Sequence, residues 1–276
     1  NNADTITDAT GDSTLAITGA NSGTLDGMAF STFENLNLSG GNDTATVSGN
    51  GSGLSLYGNL DLGEGTNSLT MNGSAGTVGS VNSGTGTDTF SISAGSVIGA
   101  VNASDGSNTL TISGTSSSIG SYLGGSGTDS ITLSGGDVVG NVSTTTGNDT
   151  LLISSTASTI GGNLDLGGGT GDTLSYVGYS NAVSVTLTDI TSNTGSTAAG
   201  GATAISGTAT GFESLIGGSS SSDSVTDSTG DSTIVISSPN SGTIDGLAFS
   251  SIEYLNLSTG IDGVTVQSGG SLSGNL

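Results

Sequence analysis

Short segments of strict apolar/polar alternation recur along the chain at a nearly fixed spacing. TATV at 44–47, SLTM at 68–71, TFSI at 89–92, TLTI at 109–112, SITL at 130–133, TLLI at 150–153 and TLSY at 173–176 each put two apolar residues on one side. Period-two alternation with β-branched and hydroxyl residues predicts half-buried strands. An Asp or Asn stands directly before each segment: Asp43, Asn67, Asp88, Asn108, Asp129, Asp149 and Asp172, at intervals of 24, 21, 20, 21, 20 and 23 residues. Second short segments ending in Gly follow at 96–99, 117–120, 137–140 and 158–161, and third segments at 100–103, 141–144 and 163–166. Two or three short strands per period of this length match one coil of a solenoid. The pattern predicts an all-β fold, a right-handed parallel β-helix (β-solenoid) of about 20–24 residues per coil, with one parallel register through 1–190.

A longer repeat encloses the short one. Residues 4–47 and 223–266 align without a gap at an offset of 219, with 27 identities in 44 positions. Seven of the 17 substitutions exchange Leu with Ile, Ala with Val or Ser with Thr. The chain is therefore read as a single continuous solenoid segment over 1–276, holding one long unit and the start of the next, a window on a longer polypeptide. Residues 191–222 are less regular and form broader rungs or an insertion. The Phe-Ser-x-x-Glu-x-Leu-x-Leu run at 30–38, its counterpart at 249–257 (with Ile252 before the Glu), and Phe212-Glu213-Ser214-Leu215 read as one recurrent rung type.

Charge narrows function more than fold. The chain has no Lys, Arg or His against 23 Asp and Glu. Nucleic-acid binding is excluded, because phosphate neutralisation needs cationic side chains, and so is anchoring to anionic lipid by basic residues. No run approaches the roughly 18 apolar residues of a membrane-spanning helix, and no signal peptide is visible. With no Cys, disulfides and thiolate metal sites are ruled out. Lyase chemistry of the β-helix type lacks its basic residue, and Ser-His or Cys-His catalysis lacks its imidazole. With no Trp to build a sugar platform, the expectation is no enzyme.

Three passages carry a resemblance. GGSGTDSIT at 124–132 and SGTGTDTFS at 83–91 resemble the Gly- and Asp-rich nonapeptide of repeats-in-toxin proteins. GFESLIGG at 211–218 is similar to passages of very large bacterial surface proteins, and the 21-residue rung is similar to autotransporter adhesin passengers. The resemblance implies a parallel β-solenoid, secretion, and a surface or filament role. One departure is plain: the motif recurs every 20–24 residues rather than every nine, with Asn at Asn67 and Asn108, so the calcium roll of the repeats-in-toxin family is not present.

The Asp/Asn column is the candidate site. Stacked carboxylates about 4.8 Å apart repel unless something intervenes. Ca²⁺ held by Asp88, Asp129, Asp149 and Asp172 with corner carbonyls is one answer, since oxygen ligands are all this chain offers. Asx-type capping of corner N–H groups is the other. Asn-x-Ser/Thr acceptors for glycans occur at Asn37, Asn42, Asn50, Asn72, Asn102, Asn141, Asn148 and Asn256. The expected role is an extracellular structural filament, sheath or surface layer that self-associates with like chains. The alternative is an adhesin stalk displaying a binding tip from elsewhere.

Overall fold

The structure is a computed structural model that describes residues 3–48, 53–74, 76–191, 195–199 and 201–276. It is all-β, with long and mostly parallel sheets and no helix among the described residues. The chain divides into two compact units, Asn1–Gly140 and Asn141–Leu276. Strands are numbered β1 to β30 in chain order.

In the first unit one sheet runs β1 (Thr5–Thr7), β5 (Asn35–Asn37), β7 (Ser55–Asp61), β9 (Thr77–Asn82), β11 (Ser96–Ser104), β13 (Ser118–Gly124) and β15 (Asp137–Val138), every joint parallel. The other runs β14 (Ser130–Leu133), β12 (Thr109–Ile112), β10 (Thr89–Ile92), β8 (Ser68–Met71), β6 (Thr44–Val47) and β2 (Thr14–Gly19), also parallel. From β5 to β14 the chain alternates between the sheets, so neighbours within a sheet lie one sequence period apart. The alternating segments are these strands: Thr89 pairs with Ser68 and Thr109, and Phe90 with Leu69 and Leu110.

Like therefore stacks on like. Ala45, Leu69, Phe90, Leu110 and Ile131 form one fully buried file, and Val47, Met71, Ile92, Ile112 and Leu133 another. The facing sheet adds Leu56, Val78, Val97, Ile119 and Val138. Each such aliphatic side chain contributes about 1.5–3 kcal/mol when buried. Sharp corners keep the files in register. Gly106 sits at φ +140°, and a Cβ there would strike the Gly86 carbonyl of the neighbouring rung, so this corner requires glycine.

The parallel register does not hold throughout 1–190. β2 is followed by an antiparallel meander, β3 (Ser22–Leu25) and β4 (Met28–Ser31). Its second turn is Asp26-Gly27, with φ of 49° and 80°, the positive-φ pair that a two-residue hairpin loop demands. The expectation of uninterrupted parallel rungs is corrected at this point.

The described strands of the second unit fall in three sheets. β16 (Val142–Ser143), β18 (Leu164–Asp165) and β23 (Thr208–Phe212) are parallel, then β22 (Gly195–Ala199) and β21 (Asp189–Thr191) join antiparallel. This is how the irregular stretch after 188 is built. β17 (Thr150–Ile153), β19 (Thr173–Ser175), β24 (Ser214–Ile216) and β28 (Leu247–Ser250) are parallel. β28 continues antiparallel to β27 (Ser241–Ile244) and β26 (Thr233–Ser238), which pairs parallel with β30 (Gly263–Val266). The third sheet is β20 (Ser184–Leu187), β25 (Ser224–Asp227) and β29 (Tyr254–Leu257), all parallel. Asp245-Gly246 repeats the tight turn of Asp26-Gly27, with φ of 48° and 96°.

Candidate functional site

Each column residue stands one position before a strand. Its carbonyl begins the parallel ladder: Thr89 N–H donates to Asn67 O and Thr109 N–H to Asp88 O. Its own N–H has no such place in the ladder and still needs an acceptor. The side chain one rung further on supplies it. In the first unit Ser13 N–H donates to Asp43 Oδ1 (2.6 Å), Asp43 to Asn67 (3.0 Å), Asn67 to Asp88 (2.8 Å), Asp88 to Asn108 (3.0 Å) and Asn108 to Asp129 (3.0 Å). In the second unit Asp149 N–H donates to Asp172 Oδ1 (2.6 Å) and Val183 N–H to Asp223 Oδ1 (2.8 Å). These column residues, Asp43 to Asp223, are all buried.

Glu enters the same ladder where the rung changes type. Asp4 N–H donates to Glu34 Oε2, Asp172 N–H to Glu213 Oε2 and Asp223 N–H to Glu253 Oε2, each at 2.9 Å. This is the shared role of the recurrent Phe/Ile-Glu rung.

One oxygen suffices for the ladder, so Asp and Asn are interchangeable there and differ in the second atom. Asn67 Nδ2 donates to Gly63 O (3.0 Å) and Ser83 O (2.9 Å), and Asn108 Nδ2 donates to Ser104 O (3.2 Å). Asp223 Oδ2 accepts Gly218 N–H at 2.6 Å. The Oδ2 atoms of Asp43, Asp88 and Asp172 are buried without a hydrogen-bond partner. Burial pushes all three carboxyls up. Asp88 is partly offset by Ser83 and by the Asn67 N–H, while Asp172 reaches about 6, with Glu213 and Asp149 adding like-charge repulsion.

Of the calcium candidates, Asp88 and Asp129 lie in the first unit with Asn108 between them, and Asp149 and Asp172 lie on successive rungs of the second. Oδ1 of Asp88 accepts the Asn67 N–H, that of Asp129 the Asn108 N–H and that of Asp172 the Asp149 N–H. Among the described residues no group of three or more His, Cys, Asp or Glu is arranged to hold a metal ion.

A second, exposed ladder of opposite direction went unread in the sequence. Asp12 accepts Asn42 N–H (2.8 Å), Asn42 accepts Thr66 N–H (2.9 Å), Glu64 accepts Thr85 N–H (3.0 Å) and Asp105 accepts Ser126 N–H (2.8 Å), each from the next rung. The Asn-Asp pairs at 42–43 and 148–149 were its signal: one member serves each ladder. Asn148 likewise accepts Thr170 N–H (3.3 Å). Local Asx turns occur elsewhere, at Asp8, Asn37, Asn102, Asp165 and Asp227. Among the glycan acceptors, Asn37, Asn42, Asn102, Asn141 and Asn148 thus already hold backbone N–H groups through Oδ1, and Asn50 lies outside the described residues.

Chemically the column is a scaffold of acceptors closing the strand ends. Compared with known proteins, the chain matches no family model, no curated protein and no solved structure.

Proposed function

We propose that the chain is a right-handed β-solenoid segment of a secreted repeat protein, and that it serves as a structural element of an extracellular filament, sheath or surface layer. The observation that carries this reading is the recurrence at 219 residues, which extends from sequence to bonding. Asn21 Nδ2 donates to Glu34 Oε1 and Asn240 Nδ2 to Glu253 Oε1, at 2.9 and 2.8 Å. A unit whose internal bonds are copied this closely is suited to serial stacking. Alternation of successive strands between two parallel sheets supports the solenoid, and right-handed crossovers follow the general rule for parallel β connections. The absence of basic residues fits a scaffold held by backbone ladders, since such a scaffold needs no ion pairs.

The test is electron microscopy and sedimentation of the purified chain over a wide concentration range. The filament reading expects rods that associate side by side or end on as concentration rises. Monodisperse rods at every concentration would overturn it in favour of the adhesin stalk.

A further inference from the structure

The two copies of the long repeat share strands and internal bonds but differ in their surroundings. β1 to β6 correspond one for one to β25 to β30. Thr14 N–H donates to Asp26 Oδ1 at 2.8 Å, and Thr233 N–H to Asp245 Oδ1 at 2.7 Å. Asn42 N–H donates to Asp12 Oδ1 and Ile261 N–H to Asp231 Oδ1, both at 2.8 Å. The correspondence runs beyond Val266. SLYGNL at 55–60 returns as SLSGNL at 271–276, three residues early. Tyr57 N–H donates to Asn21 Oδ1 (3.0 Å) as Ser273 N–H does to Asn240 Oδ1 (2.8 Å), and Gly58 N–H donates to Glu34 O (3.0 Å) as Gly274 N–H does to Glu253 O (3.1 Å).

In the second copy β28 is paired along its outer edge by β24, and β25 by β20. Leu247 and Phe249 are 2% and 3% exposed and Val225 is fully buried. In the first copy no strand among the described residues pairs the outer edges of β4 and β1. Met28, the counterpart of Leu247, is 73% exposed. Ile6, Leu25, Met28, Phe30 and Phe33 line an open apolar cleft there.

We propose that this face, made by β1 and β4, is a docking surface for the β20–β24 strands of another copy of the long repeat. The register is the one the second copy already shows: Ile6 opposite Val185, as Val225 is here, and Phe30 opposite Leu215, as Phe249 is here. Backbone groups match as well. Ala248 N–H donates to Glu213 O and Gly217 N–H to Ser250 O, both at 2.9 Å; Ala29 N–H and Ser31 O are the equivalent groups on the unpaired face. The docking is strand addition to a sheet edge, with main-chain bonds for affinity and alternate side chains for register. Charge points to the same place. Copies carrying net charge −23 repel one another over most of their surface, yet the strand residues of β1, β4, β20 and β24 include no carboxylate. In an intact chain β20 and β24 are covered by that chain's own β25 and β28, so the surface is reserved for a unit joined in series.

This inference rests on the filament reading for its biological setting, but its test is separate. Residues 141–222 are fused ahead of Asp4 of the full chain in place of residues 1–3, so that Ser222 leads into Asp4 as it leads into Asp223. Hydrogen exchange is then followed by mass spectrometry. Docking predicts that amides in 5–7 and 28–31 slow by at least tenfold, toward the rates of 224–227 and 247–250. In the extended chain Phe30→Asp should abolish the slowing at 28–31 and leave 247–250 slow. Unchanged exchange at 5–7 and 28–31 in the extended chain, or slowing that survives Phe30→Asp, overturns the proposal. Filaments seen without this protection would defeat docking alone; protection without filaments would defeat the filament reading alone.

Discussion

Asn67 donates its backbone N–H to Asp88 Oδ1 at 2.8 Å, while its own side-chain Nδ2 reaches Gly63 O and Ser83 O. Asp88 Oδ1 accepts the N–H of the preceding rung as Asn67 Oδ1 accepts that of Asp43, but an ionised Asp88 cannot match the Nδ2 bonds, because a carboxylate offers no donor. The two residues therefore divide a buried position into a part both can serve and a part only the amide, or a protonated acid, can serve. Asp88→Asn should keep the bond from Asn67 and raise the unfolding midpoint at pH 8. Asp88→Ala removes the acceptor, strands a buried N–H and should cost about 1–3 kcal/mol. Thermal unfolding, with exchange at the Asn67 amide as a local readout, separates the two variants. Equal losses from Asn and Ala would sink the argument.

Asp172 extends it to pH. Burial, with Glu213 and Asp149 nearby, raises its carboxyl to about 6, against about 3.9 for an unfolded Asp. Between these values the folded chain binds more protons than the unfolded one. Its contribution is complete below about pH 4 and is lost as pH rises through about 6. Asp43 and Asp88 are raised by burial in the same sense. Asp8 and Asp105 run the other way, held low by Thr10 and by Ser126, so their support fades as pH falls below their ordinary carboxylate range. The melting temperature should be higher near pH 4.5 than near pH 7.5. Relief of net negative charge adds to that trend, so the decisive quantity is the difference from Asp172→Asn. That variant should show a flatter slope between pH 4 and 6, and an unaltered slope would refute the assignment.

Calcium is tested by the same readout. The column turns its Oδ1 atoms to backbone N–H groups, and the described residues hold no three-carboxylate cluster. Chelation with EGTA at pH 7.5 is therefore expected to leave the melting temperature unchanged, and added Ca²⁺ to raise it no more than Mg²⁺ does. A Ca²⁺-specific rise, abolished in Asp149→Asn or Asp172→Asn, would return the column to the role of a metal site.

The regular rungs were legible because side-chain period and backbone period coincide. TATV, SLTM, TFSI, TLTI, SITL and TLLI are strands with the boundaries the alternation gives. The column was legible as a position but not as an environment. Asp43 and Asp88 sit one residue ahead of a polar/apolar alternation, which marks no inside or outside for them, and position alone suggests carboxylate stacked on carboxylate. The actual contact is side chain to backbone, one rung apart. The meander at 14–31 carries its sequence signal only in the Asp26-Gly27 and Asp245-Gly246 turns, because the short β3 (SGTL) and β4 (MAFS) lack the strict polar/apolar alternation of the rungs. The antiparallel joints of β21, β22 and β23 had no such signal in a run of Thr, Gly and Ala.

The meander offers the most local test of the fold. β3 crosses β2 so closely that a Cβ at Gly23 would collide with the Ala16 carbonyl oxygen, and one at Gly242 would collide with that of Val235. Neither glycine needs positive φ, so the constraint is proximity alone. Gly27 is the reverse case: φ is +80° and a Cβ would meet nothing within 4 Å. Gly23→Ala should thus force β2 and β3 apart and cost about 1–3 kcal/mol, as overpacking does. That corresponds to several degrees in midpoint at about 2–4 °C per kcal/mol for domains of 150–250 residues. Gly27→Asn keeps a residue that tolerates the left-handed region and should cost far less. If Gly27→Asn proved the more damaging of the two, the antiparallel register of Ala16 with Thr24 and Ile17 with Gly23 would be wrong.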